Sequence, residues 1–171
     1  VSGNGGWAVD GANNALFGNQ NFMLNVTNSI NSGLGNYIEK SYAVSVSGSQ
    51  NTVADAGDTI VAGCHQDIKH VHGSAIFGGY NEISNVKNSL IYGLDNEVKG
   101  TEGTEGIRQA LVGGKENDVY ADRAVVLGHI NTVDATAAVV FGEGNTIENG
   151  DTAFTLLSGE GLQRKTPTDT S

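Results

Sequence analysis

Short apolar clusters alternate with polar turn residues along the chain at a period of 14 to 15 residues. The repeats share the pattern Gly-x-x-Asn-x-Val/Ile, with Gln66 in place of Asn in one repeat and Met23 in place of Val/Ile in another. A period of this length accommodates two strands of about five residues joined by turns. The sequence therefore predicts an all-β parallel β-roll, a solenoid of about nine coils that hydrogen-bond to their neighbours. The register glycines that mark the coils are Gly18, Gly33, Gly48, Gly63, Gly78, Gly93, Gly114, Gly128 and Gly142.

An amide side chain stands three residues after every register glycine. Eight of these residues are asparagine and one is glutamine, which carries the same amide. Stacked amides can bond to one another between neighbouring strands, and asparagine tolerates the tight backbone of a turn. We therefore expect a structural ladder made of Asn21, Asn36, Asn51, Gln66, Asn81, Asn96, Asn117, Asn131 and Asn145.

The strand before each glycine is apolar on both faces. Side chains alternate along a strand, so Ser74 and Ile76 share a face with Gly78 and belong to the predicted core. The opposite face is also apolar, and a one-layer roll has nothing of its own to cover it. We therefore expect a homo-oligomer of parallel rods. The predicted interface residues are Phe77, Leu90, Tyr92, Val125, Leu127, Val139 and Phe141.

The early coils and the strand after each turn are more polar. That second strand is expected to face water, as Asp67, Glu82 and Glu97 indicate. A looser and wetter contact between rods is predicted where polar residues occupy the first strand, at Asn31, Ser32, Ser45 and Ser47.

Composition and charge narrow the possible partners. The 171-residue chain has 9 Lys+Arg against 19 Asp+Glu and a formal net charge of −10, which argues against nucleic acid as a partner. No apolar run approaches the roughly 20 residues of a spanning helix, so direct membrane insertion by this segment is not expected. The single Cys64 cannot form an internal disulfide.

Four repeats carry a family resemblance. SAIFGGYNEI, SLIYGLDNEV, AVVLGHINTV and AVVFGEGNTI resemble the YadA-like head repeats of trimeric autotransporter adhesins, over about residues 13–147. The resemblance implies a left-handed β-roll packed as a homotrimer on the bacterial cell surface, outside the cell and anchored in the outer membrane through a further segment. It implies adhesion to a host receptor, a matrix protein or a surface glycan. Similar repeats occur in phage tail fibres, so a virion segment for receptor binding or spacing is the alternative.

The same pattern suggests three regions. We expect an N-terminal cap at 1–12, head repeats at 13–150, and a terminal coil with a linker at 151–171. An ice-binding solenoid is a further alternative. The row four residues after each glycine is too irregular for that function, since it changes from Phe22 through Thr52 to Glu82.

Few residues suggest chemistry beyond this framework. His65, His70 and His72, beside Cys64, are the candidate metal ligands, with His70 and His72 predicted to share a face, but the spacing of a zinc site is lacking. A metal site at these histidines is therefore not the preferred interpretation. No nucleophile or phosphate-binding motif is present, so we expect no enzyme activity and no cofactor.

The spacing of 21 between Gly93 and Gly114 marks an insertion. It presents Glu102 and Glu105 as a possible binding loop, with a neutral surface loop as the preferred interpretation.

Overall fold

The computed structural model describes residues 2–100, 107–135, 137–151 and 155–165. These residues form a parallel β-solenoid of about ten turns. The predicted all-β class and the parallel stacking are confirmed, with about ten turns in place of nine. Within the described ranges, no helix has the length and apolarity needed to cross a membrane.

One wall of the solenoid is a ten-stranded parallel sheet, here called the long-strand sheet. Its strands pair glycine to glycine, as Gly78 does with Gly93. Each register glycine therefore stacks on the next. The strands are Ala15–Asn19, Ile30–Leu34, Ser45–Ser49, Ile60–Cys64, Ala75–Gly79, Leu90–Leu94, Leu111–Lys115, Val125–His129, Ala138–Glu143 and Thr155–Glu160.

A second wall is an eleven-stranded parallel sheet, here called the short-strand sheet. It contains the Val/Ile positions of the repeat, which stack in register, as Ile83 does on Val98. The strands are Trp7–Val9, Phe22–Leu24, Tyr37–Glu39, Thr52–Ala54, Asp67–Lys69, Glu82–Ser84, Glu97–Lys99, Asp118–Val119, Thr132–Ala135, Thr146–Asp151 and Gln163–Lys165.

A third, narrower side closes each coil, so the prediction of two strands per coil was incomplete. On this side Val86–Lys87 pairs with Ile107–Arg108. Single parallel bridges continue the same side towards the N-terminus. The inward residue here follows the Val/Ile position by three, as Val71 and Val86 show, and it is fully buried.

The corners of the coil require a left-handed backbone conformation that residues other than glycine seldom adopt. In one coil, Tyr80, Asn85 and Asn88 have φ angles of 55°, 57° and 52°, in the left-handed region. The ladder asparagines do not hold these conformations. The corner residue immediately before each of them does, so the expectation that the asparagine itself sits in the tight turn was wrong.

The register glycines are required by close approach of the backbone. Gly93 has a φ of 122°, and a Cβ added there would lie 1.8 Å from the carbonyl oxygen of Gly114. A side chain at this position would collide with the backbone of the neighbouring coil. This explains why glycine recurs once in every coil.

The interior is a stack of small and medium apolar columns. The predicted core residues Ile76, Ile91, Val126 and Val140 are fully buried, which confirms this face as the core. Asn31, expected in the looser outer contact, is instead fully buried. It lies two residues before its glycine and so faces the core. Its Nδ2 makes long contacts of 3.4–3.5 Å with carbonyl oxygens, and its Oδ1 has no hydrogen-bond partner.

The coil stacking extends beyond the nine recognised repeats. In the 1–12 segment, Trp7–Val9 pairs with Phe22–Leu24. At the other end, Thr155–Glu160 stacks on Ala138–Glu143 and aligns Gly159 with Gly142.

Candidate assembly surface

The asparagine ladder runs inside the corner between the two sheets. Asn131 is typical: its Nδ2 donates to Asn117 Oδ1 at 2.9 Å and to the Gly142 carbonyl at 2.9 Å. Its Oδ1 accepts from both the backbone N–H and the Nδ2 of Asn145, each at 3.0 Å. The ladder therefore joins side chains to side chains and also satisfies backbone groups of the adjoining coils.

Gln66 occupies its place in the ladder with a longer side chain. Its Nε2 donates to the Ala62 carbonyl at 3.0 Å and approaches the Gly78 carbonyl at 3.5 Å. The next amide, Asn81 Nδ2, lies 3.5 Å from Gln66 Oε1, whereas the corresponding contact between Asn131 and Asn117 is 2.9 Å. The extra methylene thus stretches the ladder at this step.

The outer face of the long-strand sheet presents the predicted interface residues in aligned columns. Phe77 pairs in register with Tyr92, and Val125 with Val139. Phe77, Leu90, Tyr92 and Phe141 are 38–41% exposed, and Val125, Leu127 and Val139 are half-buried. In this single chain the columns form an apolar stripe that follows the rod.

This stripe is wider than the sequence pattern indicated. The long strands continue one residue past the register glycine, and that residue also faces outward. Leu34 and Leu94 occupy this additional column and are 49% and 48% exposed, but Ser49, Lys115 and Glu143 lie in the same column, so the stripe widens only locally. The signal was present in the sequence as an apolar residue directly after the glycine in only two repeats, which is too few to define a column.

One position of the stripe is shaped by a tyrosine lying over a glycine. A Cβ added at Gly113 would lie 2.2 Å from Cζ of Tyr92, so the phenol ring covers the neighbouring glycine. Gly113 in turn aligns with Leu127. The stripe therefore contains ridges and shallow steps along its length.

The outer face of the short-strand sheet carries a charged network in its middle coils. Lys99 Nζ lies 2.9 Å from Glu82 and 3.3 Å from Glu97. The Tyr120 hydroxyl donates to Glu97, which raises the pKa of Tyr120 to about 12 and lowers the pKa of Glu97. Such exposed pairs contribute little to stability, typically about 0–1 kcal/mol each.

Aromatic side chains replace these charges in the early coils. The rings of Phe22 and Tyr37 stack with their centroids 5.3 Å apart and their planes within 5°. Trp7 aligns with Phe22 in the next strand and is 66% exposed. The short-strand face is therefore aromatic at one end and charged further along.

The three candidate histidines lie in different environments. His65 stacks on Tyr80, His70 Nδ1 lies 3.9 Å from Asp55, and His72 Nδ1 lies 3.5 Å from the Tyr42 hydroxyl. His70 is a left-handed corner residue and His72 lies on the third side, so the prediction that they share a strand face was wrong. Across the described ranges, no three His, Cys, Asp or Glu side chains are arranged to hold a metal ion.

The insertion follows Glu97–Lys99 of the short-strand sheet and precedes Ile107–Arg108 on the third side. The Gly100 N–H donates to the Ser84 carbonyl before it, and Ile107–Arg108 resumes the stacking after it. Glu102 and Glu105 of the possible binding loop lie outside the described residues.

The chain was compared with known proteins by family and by sequence. No protein-family model matches it, and no curated protein matches it.

Proposed function

We propose that this chain is a non-enzymatic segment of an extracellular surface fibre. Three parallel copies pack with their long-strand sheets facing a common axis and present their remaining faces for attachment. We further propose left-handed winding of the coils, as in the adhesin head repeats that the sequence resembles. The attachment partner would be a host receptor, a matrix protein or a surface glycan.

The apolar stripe is the observation that carries this proposal. Ten strands spaced about 4.8 Å apart give a face roughly 45 Å tall, and five residues give a width of about 16 Å. Its apolar part, interrupted by polar residues such as Ser45, Ser47 and Glu143, is comparable to the largest apolar patch that a monomer exposes. The whole face has an area on the order of 700 Å². It is close to the roughly 800 Å² that one partner contributes to a standard protein interface.

The repeat geometry also favours copies of the same chain as the covering partner. The stripe is built from columns with the coil spacing, and another rod presents columns with the same spacing. Parallel rods can therefore match layer by layer, and rotational symmetry closes the assembly. The ladder side chains are hydrogen-bonded within the chain, which supports a structural role for the repeat.

The test is the mass in solution, measured by light scattering after size exclusion. The parent should be a trimer, and Phe77→Asp and Leu127→Asp should dissociate because each places a charge inside the apolar contact. Ser84→Asp on the short-strand face is the matched control and should remain trimeric. A well-folded monomeric parent would remove the basis of the proposal.

Attachment is tested separately with the trimer. Immobilised trimer should bind at least one surface from a panel of collagen, fibronectin and arrayed glycans, whereas the dissociated Phe77→Asp chain should bind more weakly because it has lost multivalency. Equal binding by the trimer and the dissociated chain would show that assembly does not serve attachment.

A further inference from the structure

A recess opens along the edge of the long-strand sheet where the strands begin. It is shallow and open to solvent, with a volume of about 630 Å³; Gly73 and Ala75 contribute to its floor, and Asn88 Oδ1 lies over Gly73. Ala75 is aligned between Ile60 and Leu90 in the adjoining strands. The recess therefore arises because two small residues lie in one coil between larger residues in the coils on either side.

The rim of the recess offers hydrogen-bond acceptors. Asp58, Asn88 and Gln109 line it from exposed corner positions, where each has a left-handed backbone. The hydroxyls of Ser74 and Ser89 point to backbone groups of the wall and are already used there. A ligand in this recess would therefore meet apolar walls together with a carboxylate and two amides.

The largest side chain at the opposite end of the same strand is Tyr80. It directly follows Ala75–Gly79 and is 58% exposed, although its φ of 55° is unfavourable for a bulky residue. Its ring stacks on His65 with centroids 4.9 Å apart and planes within 5°. The stacking fixes the orientation of an exposed aromatic ring, which lowers the entropy cost of inserting it into a partner.

We infer that Tyr80 of one copy inserts into the recess at Gly73 and Ala75 of the next copy around the trimer axis. Three rods with their long-strand sheets towards the axis bring the end of a strand in one copy beside the start of a strand in the next. Both features belong to the same coil, so threefold symmetry holds them at matching heights. The inference rests on the proposed homotrimer and names the contact that aligns its copies.

The chemistry of the two surfaces is complementary. The Tyr80 hydroxyl can donate to the Asp58 carboxylate or to the amide oxygens of Asn88 and Gln109, while its ring contacts the aliphatic walls. A tyrosine that is buried in a partner's pocket and whose hydroxyl makes a hydrogen bond is a typical hot-spot residue of a protein interface.

Cysteine cross-linking tests the contact directly. Tyr80→Cys and Asn88→Cys are combined in a Cys64→Ser background, which removes the native thiol. A short bismaleimide cross-linker should give covalent trimers on a denaturing gel, because the length of the tyrosine side chain holds the two backbone positions beyond disulfide distance and the linker takes its place. The control combines Asn88→Cys with Tyr120→Cys, on the short-strand face, and should stay uncross-linked.

A space-filling pair provides a second test that does not rely on cross-linking. Ala75→Phe should weaken association by roughly ten- to hundredfold, because the added ring occupies the place of Tyr80. Adding Tyr80→Ala should restore much of the lost association by removing the clash. Circular dichroism should show the same strand content in each variant, since position 75 faces outward.

The outcomes separate the inference from the proposed function. A parent that is trimeric by mass, combined with a cysteine-pair variant that does not cross-link and with tolerance of Ala75→Phe, would overturn the inference and leave the trimer intact. A monomeric parent would overturn both. Cross-linked trimers together with rescue by the double variant would establish the contact.

Discussion

Replacing Asn131 with alanine should lower the free energy of unfolding by about 3–5 kcal/mol. The side chain is fully buried and makes hydrogen bonds to Asn117, Gly142 and Asn145. Its loss removes the donor to the Gly142 carbonyl and the acceptor for the Asn145 N–H. Each buried polar group left without its partner costs about 1–3 kcal/mol, and the lost side-chain volume adds to this cost.

Urea denaturation followed by circular dichroism measures this loss. Parent and variants are compared at one protomer concentration, because assembly makes apparent stability depend on concentration. Thr132→Ala is the matched control: it is the next residue, faces outward and should change stability by no more than about 0.5 kcal/mol. Asn131→Asp should also destabilise, since it loses the donors and buries a charge. Equal losses at positions 131 and 132 would refute the energetic role assigned to the ladder.

Three further predictions concern other positions of the coil. Gly93→Ala should lower the free energy of unfolding by about 3 kcal/mol or more, because the added Cβ would collide with the backbone of the next coil. Gly161→Ala has open space around it and should cost only about 1 kcal/mol. Thermal unfolding compares the two variants, and similar losses of stability would contradict the steric explanation. Gln66→Asn should stabilise by about 0.5–1 kcal/mol by shortening the stretched ladder, and a lower melting temperature would count against it. Because the hydrogen bond to Glu97 raises the pKa of Tyr120 to about 12, this bond stabilises the fold below about pH 10 and is lost as the pH rises through about 12. In an ultraviolet titration, the parent should therefore show a tyrosine ionisation step near pH 12 that Tyr120→Phe lacks. If the step that Tyr120→Phe lacks lies near about pH 10, the prediction is contradicted.

The sequence was most informative where one residue type has only one structural use. The register glycines recur because a Cβ at those positions would collide with the backbone of the next coil. The ladder asparagines recur because each side-chain amide hydrogen-bonds to both neighbouring coils. The third side was missed because its inward column varies: Val26, Ser41, Ala56 and Val71 occupy equivalent positions and are all buried. Any small side chain fills that space, so no single residue type recurs at this position of the repeat.

The ends of the solenoid were hidden for a related reason. In the first coil Gly6 takes the place of the ladder asparagine, and the Leu16 side chain packs close to it. In the last coil Leu162 follows Asn145 in the ladder, and its backbone N–H donates to Asn145 Oδ1. Both substitutions keep the backbone pairing while changing the residue that the pattern depends on.

The coil that carries the insertion has a mechanical consequence. Hydrogen bonds between coils run along the rod, so tension on the two ends would detach terminal coils one at a time. Each ordinary coil of 15 residues would release about 50 Å of extended chain, whereas the 21-residue spacing from Gly93 to Gly114 would release about 70 Å. A single rod under load should therefore lengthen in steps of similar size, the longest from the coil with the 21-residue spacing, so that a fibre made of such rods would absorb work progressively instead of breaking at a single force.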